Sequence, residues 1–328
     1  HMYYKNVLKE IDPDVVVVWT DNLPQSIILR DLAEMNDIPS FSLERGLLPK
    51  TMELFFTNAF DDRVSSNTFH LMKSEIPDDK YFNEIKSYYT SLQFQNYKQS
   101  EYDKTLKVVS QLSKSKKSIV TFWGSRASIE GDIEQQLSTF QDQNNSTHKV
   151  IVKPHPTDSG TYKYSDLVID KHENVYSLMD NTDVFIVKGT SLAFLMLMTD
   201  KPIIFMCNAI SKFFNVGYYI PPNSSYQEFE EIILKASKST DEQLQNRKKY
   251  LQWLMKYRLY AIDDSPTALK ISDMVTLLVN STNTGRILRA NKEILGHNTE
   301  SIKHENDAYK QKLNKEIAIY EHNTEVHN

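Results

Sequence analysis

The hydrophobic residues of the chain occur in two patterns: short continuous apolar runs, and longer stretches in which they recur every three or four positions. Continuous runs such as 15–19 and 118–123 are typical of strands that are buried on both faces. The longer periodic stretches are typical of amphipathic helices. Because the two patterns alternate along most of the chain, they predict an α/β fold of parallel βαβ units.

This alternation occurs twice. The first predicted unit has strands at residues 15–19 and 37–43, joined by a helix. The buried face of that helix is expected to be Ile27, Ile28, Leu32 and Ala33. The strands of the second predicted sheet are expected at residues 118–123, 149–152, 174–176, 183–187 and 202–206. Helices are expected at residues 129–140, 192–198, 226–236 and 241–261, and from Ser265-Pro266 to residue 279.

The length of the chain, 328 residues, exceeds what one hydrophobic core of ordinary size encloses, so two domains are expected. A short basic run at residues 113–117 marks the boundary. We predict a Rossmann-like domain at residues 1–112, a second Rossmann-like domain with closing helices at 113–280, and a helical tail at 281–328. Two facing domains of this kind suit a sugar-nucleotide enzyme, so we expect the first domain to be the acceptor side and the second to bind the nucleotide sugar. In the tail, apolar residues recur every seven positions beside a polar seam, so a coiled coil and a solvated helix both stay open.

Composition narrows the classes of function. A net charge of −5 provides no basic field for a nucleic-acid partner. The single cysteine, Cys207, rules out an intrachain disulfide framework and is typical of a reducing cytoplasm. No apolar run is long enough to cross a bilayer, so we expect a cytoplasmic protein, at most peripheral at the inner membrane. The opening His1-Met2 is typical of an expression-vector remnant, so the natural protein is expected to extend upstream and the first domain to be truncated at its start.

A histidine lies where one predicted strand ends, in the sequence Lys153-Pro154-His155-Pro156. Ligands of open α/β sheets bind outside the carboxyl ends of strands, and the two prolines hold the turn in a non-helical conformation. An imidazole in this position can donate to a phosphate or carboxylate oxygen, and Lys153 adds positive charge. We therefore predict that this turn binds a nucleotide phosphate, although a lone histidine is more often structural.

A second strand end, Lys188-Gly189-Thr190-Ser191, opens into an apolar helix. The glycine allows close approach of a ligand, and the hydroxyls and amides that follow are suited to an anion. A plain helix cap is the alternative. The Gly-Thr-Ser turn follows the His-Pro strand along the chain, and this placement favours a role in the same phosphate site.

Two further strand ends carry candidate side chains. In Glu44-Arg45-Gly46 the carboxylate could act as a general base for an acceptor hydroxyl and the guanidinium could bind an anionic substrate, whereas a surface ion pair is the alternative. Asp21 and Asn22, at the end of the first strand, could line the acceptor side.

The turn that follows residues 118–123 also holds candidate ligands. Ser125 and Arg126 are placed for phosphate binding, and Asp132 or Glu130 could supply a second carboxylate. A carboxylate in the first turn of a helix also stabilises the helix by itself, so this role stays open.

Several familiar site patterns are absent from the sequence. It contains no Walker A motif, no Gly-x-Gly-x-x-Gly, no Gly-x-Ser-x-Gly and no zinc-type His/Cys spacing. The Asp-x-Asp pattern of many metal-dependent glycosyltransferases does not occur at a strand end, since Asp12-Pro13-Asp14 precedes a strand. We therefore expect no cofactor and no metal.

The sequence resembles the bacterial capsule-polysaccharide biosynthesis transferases, the group that contains the capsular and lipopolysaccharide Kdo transferases. The resemblance lies in the segments 13–19, 41–49, 153–156 and 188–191 and in Lys201-Pro202, in the same order along the chain. Its acidic-Gly, His-Pro and Ser/Thr motifs are also similar to those of bacterial sialyl- and polysialyltransferases. The resemblance implies a GT-B fold, two Rossmann-like domains facing across a cleft, and a CMP-activated 2-keto sugar acid as donor.

The resemblance also implies roles for particular residues. His155 and Ser191 would contact the CMP moiety, Glu44 would lie at the reacting centre, and Asp132 would take the place of the nucleophile in the retaining enzymes. In this sequence Arg45 interrupts the acidic-acidic-Gly pattern, which favours a Kdo transferase over a sialyltransferase.

We therefore predict a metal-independent glycosyltransferase that moves Kdo from CMP-Kdo to a saccharide or lipid-linked saccharide acceptor in capsule or lipopolysaccharide assembly. The alternatives are a CMP-sialic acid-dependent sialyltransferase, a CDP-glycerol-type glycerophosphotransferase, and a non-catalytic module of polysaccharide assembly. The helical tail is expected to serve self-association or partner docking.

Overall fold

The protein is an α/β fold with two sheets, as the sequence predicts. A computed structural model describes residues 2–20, 23–55, 72–92, 100–102, 117–124, 131–155, 168–206, 214–221 and 223–281. Its strands are β1 (Val16–Trp19), β2 (Ser40–Arg45), β3 (Thr51–Phe55), β4 (Ser118–Gly124), β5 (His148–Lys153), β6 (Val184–Lys188), β7 (Ile203–Met206), β8 (Tyr218–Ile220), β9 (Tyr260–Ala261) and β10 (Leu269–Lys270). Its helices are α1 (Met2–Ile11), α2 (Pro24–Met35), α3 (Asp79–Ser91), α4 (Gly131–Asn144), α5 (Val175–Asp180), α6 (Leu192–Met196), α7 (Tyr226–Lys235), α8 (Asp241–Tyr257) and α9 (271–281).

The first sheet has the strand order β1-β2-β3-β9-β10. Strands β1 and β2 are parallel and joined through α2, as the spacing predicts, whereas β2 and β3 form an antiparallel hairpin. The chain later returns to this sheet, where β9 pairs antiparallel with β3 and β10 pairs parallel with β9. The predicted helix at 241–261 therefore ends earlier, at Tyr257, and the next helix begins at residue 271 rather than after Ser265-Pro266.

The position of β1 at the edge of this sheet overturns one prediction. Val16 and Val18 are buried, but Val17 is 42% exposed and Trp19 is 52% exposed, so the strand is buried on one face and not on both. The expected buried face of α2 is also partly wrong. Leu32 and Ala33 are buried, but Ile27 is 45% exposed.

The second sheet is parallel throughout, with the strand order β5-β4-β6-β7-β8. The chain passes from β4 to β5 on one side and then to β6 on the other side of β4. The strand order therefore reverses next to β4, which is the point where open α/β sheets bind their ligands. This sheet is buried, and its strands read as continuous apolar runs for that reason.

A strand predicted at residues 174–176 is a helix. Asn174 is the N-cap of α5, and its Oδ1 accepts hydrogen bonds from the backbone amides of Tyr176 and Ser177 at 3.0 and 3.1 Å. Asn174 is also bonded to a distant segment of the chain, because its backbone amide donates to the Ser100 Oγ at 3.1 Å. An asparagine is a favoured N-cap residue, and its two hydrogen bonds satisfy backbone amides that would otherwise have no partner at the start of the helix.

The largest apolar cluster of the described residues lies around the second sheet and reaches the first sheet only at the turn between β2 and β3. It contains Leu48 from the turn between β2 and β3, residues of α3 and α8, and residues of β4 to β7. Because β9 and β10 belong to the first sheet, the segment predicted as a separate second domain contributes strands to both sheets. The domain bounds stay a prediction, and the predicted tail lies outside the described residues after Ser281.

Candidate functional site

A cavity of about 190 Å³ lies at the carboxyl ends of β4, β5 and β6. The register of the sheet brings these ends together, because Trp123 pairs with both Lys153 and Val187, and Gly124 pairs with Lys188. The residues that line the cavity are Trp123, Gly124, Lys153, Pro154, His155, Val175, Thr190, Ser191 and Leu192.

The His-Pro turn and the Gly-Thr-Ser turn therefore meet at one cavity. His155 follows the end of β5, is exposed, and lines the same space as Thr190 and Ser191, 35 residues further along the chain. The sequence predicts this meeting from the position of each turn at a strand end, and the strand order places β5 and β6 on either side of β4.

Lys153 is buried beneath this cavity, only 3% exposed. Its Nζ donates to the carbonyl oxygen of Lys171 at 2.6 Å and to that of Pro154 at 3.3 Å. Burial lowers the pKa of the Lys153 ammonium to about 8, against a smaller opposing effect of the carboxylates of Glu173 and Asp170. The side chain thus joins the end of β5 to the loop before α5, and it brings a positive charge to the wall of the cavity.

The Gly-Thr-Ser turn places two hydroxyls at the opposite wall. Gly189 has a φ of 60°, a conformation that glycine adopts without steric cost. The Thr190 Oγ1 accepts a hydrogen bond from the backbone amide of Leu192 at 3.3 Å, whereas Ser191, at the N-cap of α6, makes no side-chain capping bond. Lys188 is half-buried at the end of β6 and is not among the residues that line the cavity.

The apolar wall of the cavity consists of residues that the sequence did not single out. Trp123 is buried, and its Nε1 donates to the Thr121 Oγ1 at 2.7 Å. The Thr121 Oγ1 lies 3.1 Å from the Thr182 Oγ1, and the Thr182 Oγ1 donates to the carbonyl oxygen of Leu178 in α5. This chain of hydrogen bonds fixes the indole and α5 against β4. The sequence signal that could have indicated this apolar wall is a tryptophan directly before a glycine at the end of a strand.

Glu44 and Arg45 belong to the first sheet. Both are residues of β2, and they lie in the hairpin with β3 rather than in a loop after a strand. The Glu44 Oε1 accepts a hydrogen bond from the Thr20 Oγ1 at 2.9 Å, while Arg45 is exposed. Gly46 is required by the hairpin, since a Cβ there would collide with the Oγ1 of Thr51 and lie 2.9 Å from its carbonyl carbon.

Several predicted site residues lie outside the described residues. These are Asp21, Asn22, Ser125, Arg126, Glu130 and Pro156, together with the side chain of Asp132. Their roles stay predictions. Within the described part of the chain, no group of three or more His, Cys, Asp or Glu side chains is arranged to hold a metal ion. No helix in that part is long and apolar enough to span a membrane.

Comparison with protein families identifies one match over most of the chain. The model of the family described as CDP-glycerol:poly(glycerophosphate) glycerophosphotransferase matches residues 62–277, which include both the His-Pro turn and the Gly-Thr-Ser turn. None of the curated proteins matches the chain in sequence.

Solved structures with a similar arrangement of elements include glycosyltransferases of the GT-B type. A β-Kdo 2,4-transferase, KpsC of Thermosulfurimonas dismutans, is 12% identical with a TM-score of 0.44, over 72% of this chain and 78% of that chain. The UDP-GlcNAc 2-epimerase of Methanocaldococcus jannaschii, in complex with UDP-GlcNAc and UDP, is 13% identical with a TM-score of 0.40, over 75% and 77%. The wall teichoic acid polymerase TagF is 14% identical with a TM-score of 0.29, over 71% and 53%.

Proposed function

The chain belongs to the CDP-glycerol:poly(glycerophosphate) glycerophosphotransferase family, and we propose that it transfers glycerophosphate from CDP-glycerol to a hydroxyl group of a cell-envelope polymer. A transferase of the capsule and teichoic-acid type is the part of the expectation that is confirmed. The donor, the acceptor and the residue roles that follow are the proposal.

The cavity at the ends of β4, β5 and β6 is the observation that carries this proposal. It combines the cationic side chain of Lys153, the imidazole of His155 and the hydroxyls of Thr190 and Ser191 around one space. Phosphate oxygens accept hydrogen bonds from each of these groups, and a positive charge stabilises a leaving nucleotide. The apolar wall at Trp123 is suited to the non-ionic part of a donor.

In the proposed reaction the acceptor oxygen attacks the phosphorus that carries the glycerol. The new oxygen–phosphorus bond forms as the bond to the cytidylate oxygen breaks, and that oxygen keeps the bonding electron pair as CMP leaves. The proton of the acceptor hydroxyl passes to Glu44, which acts as the general base. Lys153, His155 and Ser191 hold the departing phosphate.

A second candidate donor, CMP-Kdo, is favoured by the motifs that resemble Kdo transferases, at Lys153–Pro156 and Lys188–Ser191. Here the acceptor oxygen would attack the anomeric carbon of Kdo, and the bond between that carbon and the phosphate oxygen would break. CMP is the leaving group in both reactions, so the same cavity serves either donor. The transferred group is what separates the two candidates.

The experiment measures CMP release and product mass with CDP-glycerol and with CMP-Kdo, using the purified protein and a polymer or saccharide acceptor. We expect turnover of CDP-glycerol, with a glycerophosphate unit added to the acceptor. Turnover of CMP-Kdo alone would replace the first candidate by the second. If neither donor is turned over and CMP does not raise the melting temperature, the chain is a non-catalytic assembly module and the proposal is wrong.

Two variants and a control test the residues. His155→Ala and Ser191→Ala should each reduce CMP release and the thermal shift that CMP produces. His172→Ala is a matched control, because His172 is exposed on the loop before α5 and does not line the cavity. Wild-type values in both site variants would show that the nucleotide lies elsewhere.

A further inference from the structure

Three side chains form a row across the first sheet, on the same face and on neighbouring strands. The register places Trp19 opposite Leu43, so that Thr20 follows opposite Glu44, and on the other side Glu44 pairs with Glu53 of β3. Directly opposite residues in an antiparallel pair have Cβ atoms about 4.5–5.5 Å apart. Glu44 therefore lies between a hydroxyl on one side and a second carboxylate on the other.

The hydroxyl side of this row is held in a costly conformation. Thr20 has a φ of 58°, in the left-handed region that β-branched residues rarely adopt. Its backbone amide donates to the carbonyl oxygen of Leu43 at 2.9 Å, and its Oγ1 donates to the Glu44 Oε1 at 2.9 Å. Backbone strain of this kind persists where the surrounding structure over-determines it. Both bonds hold Thr20 against β2, and the second fixes one oxygen of the Glu44 carboxylate.

The carboxylate side of the row is buried. Glu53 is 1% exposed, whereas Glu44 is only half-buried. The register of the hairpin places this buried glutamate directly opposite Glu44. The hairpin that carries the pair is tight, because the Gly46 amide donates to the carbonyl oxygen of Thr51 at 2.9 Å. The hairpin therefore fixes Glu53 as the residue opposite Glu44.

We propose that Thr20 and Glu53 are positioning residues for Glu44, and that they hold its carboxylate in the orientation that accepts the proton of the acceptor hydroxyl. This inference rests on the proposed function, since it requires Glu44 to act as the base. The Thr20 hydroxyl donates to the Oε1 atom of Glu44 and so fixes one oxygen of the carboxylate. Glu53 restricts the carboxylate from the opposite side.

The step in which Glu44 accepts a proton from the acceptor hydroxyl accounts for every bond, proton and electron pair. The hydrogen–oxygen bond of the acceptor breaks, its proton moves to the Glu44 carboxylate, and the electron pair of that bond stays on the acceptor oxygen as it bonds to the donor. The carboxylate that accepts the proton returns it to solvent after CMP has left. Neither Thr20 nor Glu53 exchanges a bond with substrate, so their effect on the rate acts through Glu44.

The test uses near-isosteric variants and steady-state kinetics with the donor that the wild type turns over. Thr20→Val removes the hydroxyl but keeps the shape of the side chain, Thr20→Ser keeps the hydroxyl, and Glu53→Gln keeps the volume but removes the charge. Thr276→Val, on an exposed position of α9, and Glu84→Gln, on an exposed position of α3, are matched controls.

We expect Thr20→Val and Glu53→Gln to lower kcat by about 10- to 100-fold with little change in the KM for the donor, because supporting residues typically act in this range. Thr20→Ser should recover most of the loss. Glu44→Gln should lower kcat by about 100-fold or more. Adding Thr20→Val to Glu44→Gln should cause little further loss, because a positioning residue has no effect once its partner is gone.

Different results overturn different claims. Wild-type kcat in both Thr20→Val and Glu53→Gln overturns the positioning roles while the role of Glu44 stands. Wild-type kcat in Glu44→Gln overturns the base assignment and, with it, this inference. If Glu53→Gln does not fold, the pair Thr20→Val and Thr20→Ser decides alone. Equal losses in those two variants show that the backbone of Thr20, not its hydroxyl, is what matters. A wild type inactive with both donors overturns both proposals, since Glu44 then has no reaction to serve.

Discussion

The Nζ atom of Lys153 lies 2.6 Å from the carbonyl oxygen of Lys171, and this bond joins the end of β5 to the loop that leads into α5. Lys153 is also one of the residues that line the cavity that we assign to the donor. An ammonium has three N–H donors, of which Lys171 and Pro154 take two. One donor is left for a phosphate oxygen.

Replacing Lys153 by methionine should affect both stability and binding. The change leaves the carbonyl oxygens of Pro154 and Lys171 without this donor, at a cost of about 1–3 kcal/mol in the free energy of unfolding. The thermal shift that CMP produces should also be lost. Urea unfolding and thermal shift measure the two effects. Lys149→Met, also on β5 but outside the cavity lining, is the control, and an unchanged CMP shift in Lys153→Met would exclude contact with the nucleotide.

The lowered pKa of Lys153 predicts a dependence of stability on pH. Burial lowers the pKa of the folded state to about 8 from the ordinary value of 10.5. Between these values the unfolded state binds more protons, so the free energy of unfolding rises with pH through this window and the cost of burying the charge is fully present below it. The wild type should therefore gain stability relative to Lys153→Met between pH 8 and pH 10. A constant difference across the window would contradict the shift.

Gly46→Ala should weaken the hairpin that carries Glu44. A Cβ at this position meets the side chain of Thr51 and lies 2.9 Å from its backbone carbonyl carbon, which cannot move without breaking the turn. Overpacking of this kind costs about 1–3 kcal/mol. Chemical denaturation gives the cost, and Thr51→Ala in the same chain should restore only part of it, because the backbone contact remains. Full recovery would mean that the side chain alone is responsible.

Arg247 should be among the most sensitive buried positions on α8. Its Nε donates to the carbonyl oxygen of Val216 at 2.7 Å, and its Nη1 donates to the carbonyl oxygens of Thr199 and Lys201 at 2.9 Å each. The side chain thus joins the segment after α6 to the turn before β8. Arg247→Met should lower the free energy of unfolding by about 3 kcal/mol, because three carbonyl oxygens lose their donor.

The neighbouring residue is the control for that experiment. Lys248 forms an ion pair with Asp79 at the surface, and such pairs are worth less than about 1 kcal/mol. Lys248→Met should therefore change the denaturation midpoint little. Equal losses at the two positions would mean that the effect arises from α8 as a helix and not from the three carbonyl bonds.

Excess EDTA should leave the rate of CMP release unchanged. The Asp-x-Asp pattern of metal-dependent glycosyltransferases occurs only at Asp12-Pro13-Asp14, which precedes β1 and so lies at the wrong end of a parallel strand for a ligand. Restoration by Mg²⁺ or Mn²⁺ after a loss in EDTA would refute the expectation of a reaction that needs no metal.

Local sequence patterns were sufficient to predict most strands of the second sheet. The runs at 118–123, 149–152 and 183–187 are buried strands, because a continuous apolar run that ends in proline or glycine specifies both the strand and its end. The meeting of His155 with Ser191 also follows from the sequence, since both turns come at the carboxyl ends of parallel strands. Alternation of strands and helices was enough to predict the α/β class.

Tertiary structure decided what local patterns cannot express. The run at β1 is as apolar as a central strand, but its place at the edge leaves Val17 and Trp19 exposed, and nothing in the run itself distinguishes edge from centre. The two-residue strands β9 and β10 have no pattern of their own: β9 forms against β3, and β10 forms against β9. Likewise the row of Thr20, Glu44 and Glu53 exists only in the register of three strands, since their sequence separations carry no periodic signal. The sequence by itself determined the elements and their ends, and the pairing of distant segments determined which side chains meet.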